Sequence, residues 1–351
     1  MDQNRINWVD TAKGICIIFV VMMHSVLGVE KAVGETGWMH VVVAFAAPFR
    51  MPDFFLISGL FLANVIDRSW LRYLDRKVVH FFYFYALWVT IQFAFKAPGF
   101  AAEFGLAGTI KLYLMSYIDP FGTLWFIYIL PIFFVVTRLA RQARVPMWMT
   151  GLVAAVLHLA NVHSEILLVD EFTSRFVFFF AGYALAPYVF RMAAWVRKDM
   201  FVASGLLLSW VLVNGGFVWW GVAAMPVVSL PLGFAGALAL ICIASLLAGR
   251  WAMKPIAWLG ANSIVIYLAF FLPMAISRIV LLKLDIISDI GLISLIVTAS
   301  GVIGSALFYL IIRRLGIGTF LFQRPRWAWL EEKPAVSTLK ATTDMRLQTM
   351  N

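Results

Sequence analysis

Charge is scarce in this chain: 13% of its 351 residues are Asp, Glu, Lys or Arg, and only 18 of those are acidic against 28 basic. A soluble domain carries about 25% charged residues, so an ordinary globular protein is excluded. Cysteine is nearly absent. Cys16 and Cys242 both fall in apolar runs, which argues against a disulfide framework or a thiolate metal site, and no metal is expected. P-loop, GxSxG and HExxH patterns are missing as well, removing the commonest nucleotide-binding, serine-hydrolase and zinc-hydrolase readings. The period-two alternation of a membrane β-barrel is not seen. A cleavable signal peptide is not expected either, because the first apolar run has no small-residue cleavage site and carries Lys13 and His24.

What is there is apolar: 63% hydrophobic residues, with 31 Phe and 14 Trp. The apolar runs are continuous over roughly 17–25 residues, the length a helix needs to cross a bilayer. The expected fold is all-α, a polytopic membrane protein of about ten transmembrane helices, near 11–29, 40–66, 78–96, 122–140, 146–162, 172–190, 201–222, 228–248, 256–280 and 290–312. Cations alternate strictly with these spans. Arg5, the Arg68–Lys77 cluster, Arg138, Arg141, Arg144, Arg191, Arg197, Lys198, Arg250, Lys254, Arg313 and Arg314 fall on one side. Glu30, Glu35, Glu103, Asp119, Glu165, Asp170, Glu171, Asp285 and Asp289 fall on the other. This is the positive-inside pattern and predicts both termini in the cytoplasm. The net charge of +10 is therefore a topology signal, and a nucleic-acid partner is not expected. Residues 1–326 read as one membrane domain without a visible repeat. Residues 327–351 read as a disordered cytoplasmic tail, with Trp327 and Trp329 suited to the headgroup level.

Two segments break the pattern. The second span contains Pro48 and Pro52 around Arg50, where loss of helix hydrogen bonds predicts a kink. Between Pro98 and Pro120, an amphipathic run from Leu106 to Tyr117 suits an interfacial position.

Candidate chemistry begins in the first span. The eleven-residue step from Lys13 to His24 turns through about three turns with about 20° left over, so both lie on one face, with His24 roughly 16 Å deeper. Asp10 extends the stripe. Ionisable groups at this depth are costly and mark function by default, and an imidazole can accept an alcohol proton near neutral pH. In the second span, Arg50 and Asp53 either pair locally or leave Arg50 facing the same cavity as His24, while Ser58 and Gly59 suit a close helix contact. Arg72, Arg76 and Lys77 satisfy the topology rule and also suit phosphate oxygens. Trp125 reads as an interfacial anchor and Arg175 as a snorkelling cation. Asn262, Ser263 and Tyr267 read as polar helix contacts, and His158 and Asn161 as interfacial residues.

The blocks WVDTAKGICIIFVVMMH, FRMPDFFLISG, LWFIYIL, FFFAGYALA and GANSIVIYL, in that order, resemble the acyltransferase-3 family of ten-helix membrane O-acyltransferases over nearly the full length. The family opens with a basic residue, ten residues, then His, and Lys13 to His24 fits. The resemblance implies transfer of an acetyl or other short acyl group from cytosolic acyl-CoA to a hydroxyl of an extracytoplasmic glycan or glycolipid. It makes His24 the general base or acyl carrier and gives Lys13 the part of holding the donor or stabilising charge; Asp10, on the same stripe, is counted with them as a catalytic candidate. Arg72, Arg76, Lys77 and Ser58 would serve the donor, acetyl-CoA or another acyl-CoA. Arg50 would line the cavity, and Trp125, Arg175, Asn262 and Tyr267, polar or aromatic residues of the later spans, are counted with it as candidate acceptor contacts. A bacterial inner-membrane location follows from the same resemblance. The chain departs from it at Lys13, where many relatives carry Arg, at Asp53, where an apolar residue is commoner, and after Tyr267, where relatives often have His. A transporter or exporter using the same intramembrane groups is the alternative, favoured by inverted repeats with paired broken helices, of which the sequence shows one clear break, in the second span. Acceptor identity and oligomeric state are not encoded legibly.

Overall fold

The structure, a computed structural model, describes residues 7–330; Arg5 and residues 331–351, including most of the expected tail, lie outside the described residues. The described residues form helices and connecting turns, with no strand among them. Six segments are long and apolar enough to cross a bilayer. Three further pairs qualify only if each bent pair counts as one span, which brings the total to nine. Each of the ten expected runs holds helix, though turns interrupt several, and the run at 146–162 yields only α7 (Met147–Leu159), whose 13 residues span about 20 Å, short of a roughly 30 Å hydrocarbon core.

α1 (Asn7–Val33) is the central post, packed against α3 (Arg50–Gly59), α11 (Pro226–Leu247), α12 (Lys254–Ala261) and α15 (Ile290–Leu315). Between lipid-bathed helices there is little hydrophobic drive to associate, so close approach and packing carry the contact. At the α1–α12 crossing a Cβ on Gly260 would lie 1.7 Å from the Asp10 carbonyl oxygen, so only glycine fits there. The crossing of α3 with α8 (Leu167–Ala184) uses Gly59 and Gly182 in the same way, bearing out the close contact expected at Gly59. Beside it, the Phe133 ring of α6 (Trp125–Gln142) meets Phe55, Phe172, Phe176 and Phe179 at centroid distances of 5.1, 5.5, 5.4 and 5.5 Å. Such pairs add about 0.5–1.5 kcal/mol each beyond area burial, and they fix α3 between α1 and α8.

The proline break in the second span is present: α2 (Met39–Ala46) and the following helix meet at 44°. Two larger bends were not foreseen. α8 turns by 73° into α9 (Ala186–Val196), whose first turn holds Pro187, and the ninth span bends by 66° at Asn262 before α13 (Ser263–Ala269). α14 (Phe271–Leu284) completes that span.

From Trp70 onward the basic segment after the second span is helical. Trp70–Leu74 (α4) runs through a π-helical turn, Asp75–Val79, into α5 (His80–Met115). α5 breaks at Gly105, whose φ of 68° suits glycine. Beyond it the chain folds back, bringing the Tyr113 hydroxyl to 2.7 Å from Thr90 Oγ1 and its ring to 5.2 Å from Phe93. Leu106, Ile110 and Leu114 stay exposed on the opposite face, as an amphipathic segment requires.

The chain before residue 331 is also anchored further than expected. Arg324 donates to the Asp75 carboxylate at 2.7 Å and to its carbonyl at 2.8 Å, with both side chains 2% exposed or less. The Leu330 amide donates to the same carboxylate at 2.8 Å, and Trp329 covers the Arg324 guanidinium at 4.4 Å. Residues 327–330 therefore belong to the packed structure, because a buried arginine needs its carboxylate and Asp75 supplies it. Trp327 stays exposed.

Candidate active site

α1 presents its polar residues at two levels. Near its start, at what we term the basic end, Lys13 Nζ lies 6.0 Å from the Phe61 ring centroid. Lys13 is within electrostatic range of Lys77, on which Arg68 and Arg76 also act. Lys77 Nζ rests 4.4 Å from the centre of the Phe134 ring, Arg72 is half-buried and Arg76 is exposed. The basic segment and the first-helix lysine are thus brought together by the helical course of residues 70–79.

About three turns further along α1, His24 is half-buried, with its ring 5.5 Å from that of Phe270 at the α13–α14 junction. The charges of Arg50 and Lys96 reach it from α3 and α5. Arg50 opens α3 directly after the kink, and its Nε and Nη1 are buried with no hydrogen-bond partner in the protein. Asp53, one turn on, is 1% exposed, and neither of its carboxylate oxygens has a partner, so the local Arg50–Asp53 pair does not form. Asp53 instead lies within electrostatic range of Cys16 on α1.

The remaining expected residues divide. Arg175 pairs with Glu171 at 3.1 Å and lines a cavity of about 430 Å³ with Pro48, Pro52, His158, Ser174 and Ser229. Arg50 lies within electrostatic range of Arg175, so this cavity adjoins the kink. Trp125 opens α6 and packs 6.1 Å from Phe55. Ser58 donates to the Phe54 carbonyl of its own helix at 2.7 Å. Asn262 donates to the Trp258 carbonyl at 2.8 Å, and the Tyr267 hydroxyl donates to the Thr123 carbonyl. These last three spend their polar groups on backbone.

His158 is not an interfacial residue. It is 8% exposed, with Nδ1 2.8 Å from the Ser174 carbonyl and Nε2 3.0 Å from Ser229 Oγ. The carbonyl can only accept, so Nδ1 carries the proton and, in the neutral ring, Nε2 accepts from the serine.

Sequence reasoning passed over two cations near His24. Lys96 Nζ sits between the Phe121 and Phe271 rings, 4.7 and 5.3 Å from their centroids. Arg278 of α14 lays its guanidinium over Gly28, one turn beyond His24; a Cβ there would lie 2.3 Å from Nη1. Arg278 and Lys31 act electrostatically on Lys96. An arginine inside the ninth apolar run was a legible signal, since intramembrane cations are rarely idle.

Beyond the site, the basic end is heavily bonded. Arg141 grips Asp67 with two hydrogen bonds of 2.7 and 2.6 Å and holds its carboxyl below the usual carboxylate range. Arg138 stacks 4.0 Å from Trp70 and 4.4 Å from Tyr73.

This combination of helices and buried ionisable groups defines a multi-pass helical membrane protein with a polar site inside the bundle. The profile of the family described as an acyltransferase domain matches residues 6–313, and the chain belongs to this acyltransferase-3 family. A curated relative, the inner membrane protein YcfT of Escherichia coli (strain K12), is 28% identical over 163 residues, 40% of this chain. The match spans 45% of that relative's own length. No solved structure matches.

Proposed function

We propose that the protein transfers an acetyl or other short acyl group from acyl-CoA to a hydroxyl of an extracytoplasmic glycan or glycolipid, in the cytoplasmic membrane of a bacterium. The observation that carries this reading is His24, held half-buried on the central helix among groups from α3, α5 and α13–α14 in a chain of an acyltransferase family. Ten crossings with both termini in the cytoplasm complete the reading, with the basic end facing the donor.

In this scheme Arg72, Arg76 and Lys77 bind the phosphates of the donor, and Lys13, ahead of them on α1, orients its pantetheine arm. His24 accepts the proton of the acceptor hydroxyl as the oxygen attacks the thioester carbonyl. The new C–O bond forms, the C–S bond breaks, and coenzyme A leaves as the thiolate, which takes up the proton. Arg50, with two buried donors unspent within the protein, stabilises the oxyanion that develops between these steps. Arg175 belongs to the acceptor side through the cavity at the kink. Trp125, Asn262, Tyr267 and Ser58 shape that space, and Asp10 steadies the start of α1 where α12 crosses it.

Three bent helix pairs give a transport reading more support than one break would. Flux of a carbohydrate through proteoliposomes in the absence of acyl donor decides for transport. Mass spectrometry of surface carbohydrates from cells with and without this protein tests transfer. Loss of an acetyl-sized mass from one glycan is the expected result, and an unchanged glycan profile contradicts it.

A further inference from the structure

The inference concerns the charge of the acceptor and rests on the proposed reaction. Around the far half of α1, the Arg278 guanidinium lies over Gly28, Lys96 Nζ lies against the Phe271 ring that opens α14, and the charges of Arg50 and Lys96 both reach His24. Among the described residues no carboxylate makes an ion pair with any of the three. Glu30 turns away to His40 at 2.9 Å, and Glu171 is taken by Arg175. Two nitrogens of Arg50 are buried without a partner, and Lys96 finds only aromatic faces. Gly28 leaves the space that the Arg278 guanidinium fills.

Like charges gathered in a low-dielectric bundle repel one another, and each costs several kcal/mol if uncompensated. Arg324, by contrast, is buried in this protein with a carboxylate of its own. A protein that compensates one buried arginine and leaves three neighbouring cations without an acid is arranged for an anion from outside the chain. Arginine and lysine together suit the oxygens of a carboxylate or phosphate. We infer that Lys96 and Arg278, with the charge of Arg50 adding to their field, form an anion-binding site beside His24, and that the acyl acceptor bears a carboxylate or phosphate close to the hydroxyl that is modified.

Binding tests this apart from catalysis. Full-length protein in phosphatidylcholine nanodiscs is titrated with tetragalacturonate and with neutral maltotetraose, using wild type, Lys96→Gln, Arg278→Gln and the charge-keeping Lys96→Arg and Arg278→Lys. Charge-assisted bonds predict a preference of about tenfold or more for the acidic sugar in wild type, lost in the glutamine variants and kept in the charge-keeping ones. Equal affinity for the two sugars, or a preference that the glutamine variants leave intact, overturns the inference. Coenzyme A is titrated in parallel. If its affinity falls in the glutamine variants while that of tetragalacturonate does not, the cations hold the donor's phosphates and the assignment to the acceptor is wrong. Failure of acyl transfer with the acidic preference intact counts against the reaction alone. A neutral glycan found acylated in cells leaves the reaction standing and removes the inference.

Discussion

Three arginines at the basic end, Arg138, Arg141 and Arg324, are bonded within the protein, whereas three cations around His24 meet no acid among the described residues. Arg324 is enclosed with Asp75, Arg141 holds Asp67 in a fork, and Arg138 lies against Trp70 and Tyr73. Among the described residues, Arg50, Lys96 and Arg278 form no ion pair with an acid. The first group fastens the start of α5, the end of α6 and the C-terminal segment to one another. The second leaves charge available where the bundle is otherwise aromatic. Positive residues that look equivalent in the sequence therefore serve two purposes, and a bonded oxygen supplied by the protein, the carboxylate of Asp75 or Asp67 or the Arg68 carbonyl that Arg138 meets, separates them.

The sharpest way to break this comparison is to remove the acid at the basic end. Asp75→Ala leaves Arg324 buried without its counter-charge and is expected to cost about 3–5 kcal/mol, read as a large fall in Tm in micelles. Replacing the pair together, Asp75→Leu with Arg324→Met, should recover most of that loss, and failure to recover it would deny the pair its fastening role. Next in size is Gly260→Ala, which forces α12 away from Asp10 and is expected to cost about 1–3 kcal/mol by overpacking. Loss of acyl transfer should accompany it, because α1 carries Lys13 and His24. Lys96→Gln or Arg278→Gln should behave in the opposite sense to Asp75→Ala. Relief of like-charge repulsion leaves Tm unchanged or raises it slightly, and a fall of several degrees would show that these cations have a structural partner. The smallest effect is expected at Asp67→Asn, since the Asp67–Arg141 pair is exposed, a shift of about one or two degrees at most. Asp67 is held below the usual carboxylate range, so its contribution is present at neutral pH and fades as the pH falls through its lowered pKa. The Tm difference between wild type and Asp67→Asn should vanish in strong acid.

Much of the architecture was legible because apolar continuity alone reports a lipid-embedded helix. The same continuity says little about where its axis turns. Pro48 and Pro52 announced the kink before Arg50, but the bend at Asn262 lies in a run that reads as unbroken, and Pro187 passed unused as a marker of the turn between α8 and α9. The Lys13–His24 stripe was visible because both residues sit on one helix. The Asp75–Arg324 pair was not, since its partners are 249 residues apart and nothing local to either one names the other. His158 misled for a related reason: an outer-end histidine resembles an interfacial one until α7, α8 and α11 are seen to enclose it beside Ser174 and Ser229. Asn262 and Tyr267 were polar residues in an apolar helix, which signals a need for partners without saying whether a ligand or the backbone supplies them.

The central claim is that His24 takes the acceptor's proton during acyl transfer. Its most direct test is complementation: cells lacking the protein receive either wild type or His24→Ala, matched for amount in the membrane and for Tm after purification, and their surface carbohydrates are weighed by mass spectrometry. Loss of a general base typically costs about 10²–10⁴ in rate, so wild type should restore the acetyl-sized mass and His24→Ala should not. Equal restoration by the two proteins would contradict the account.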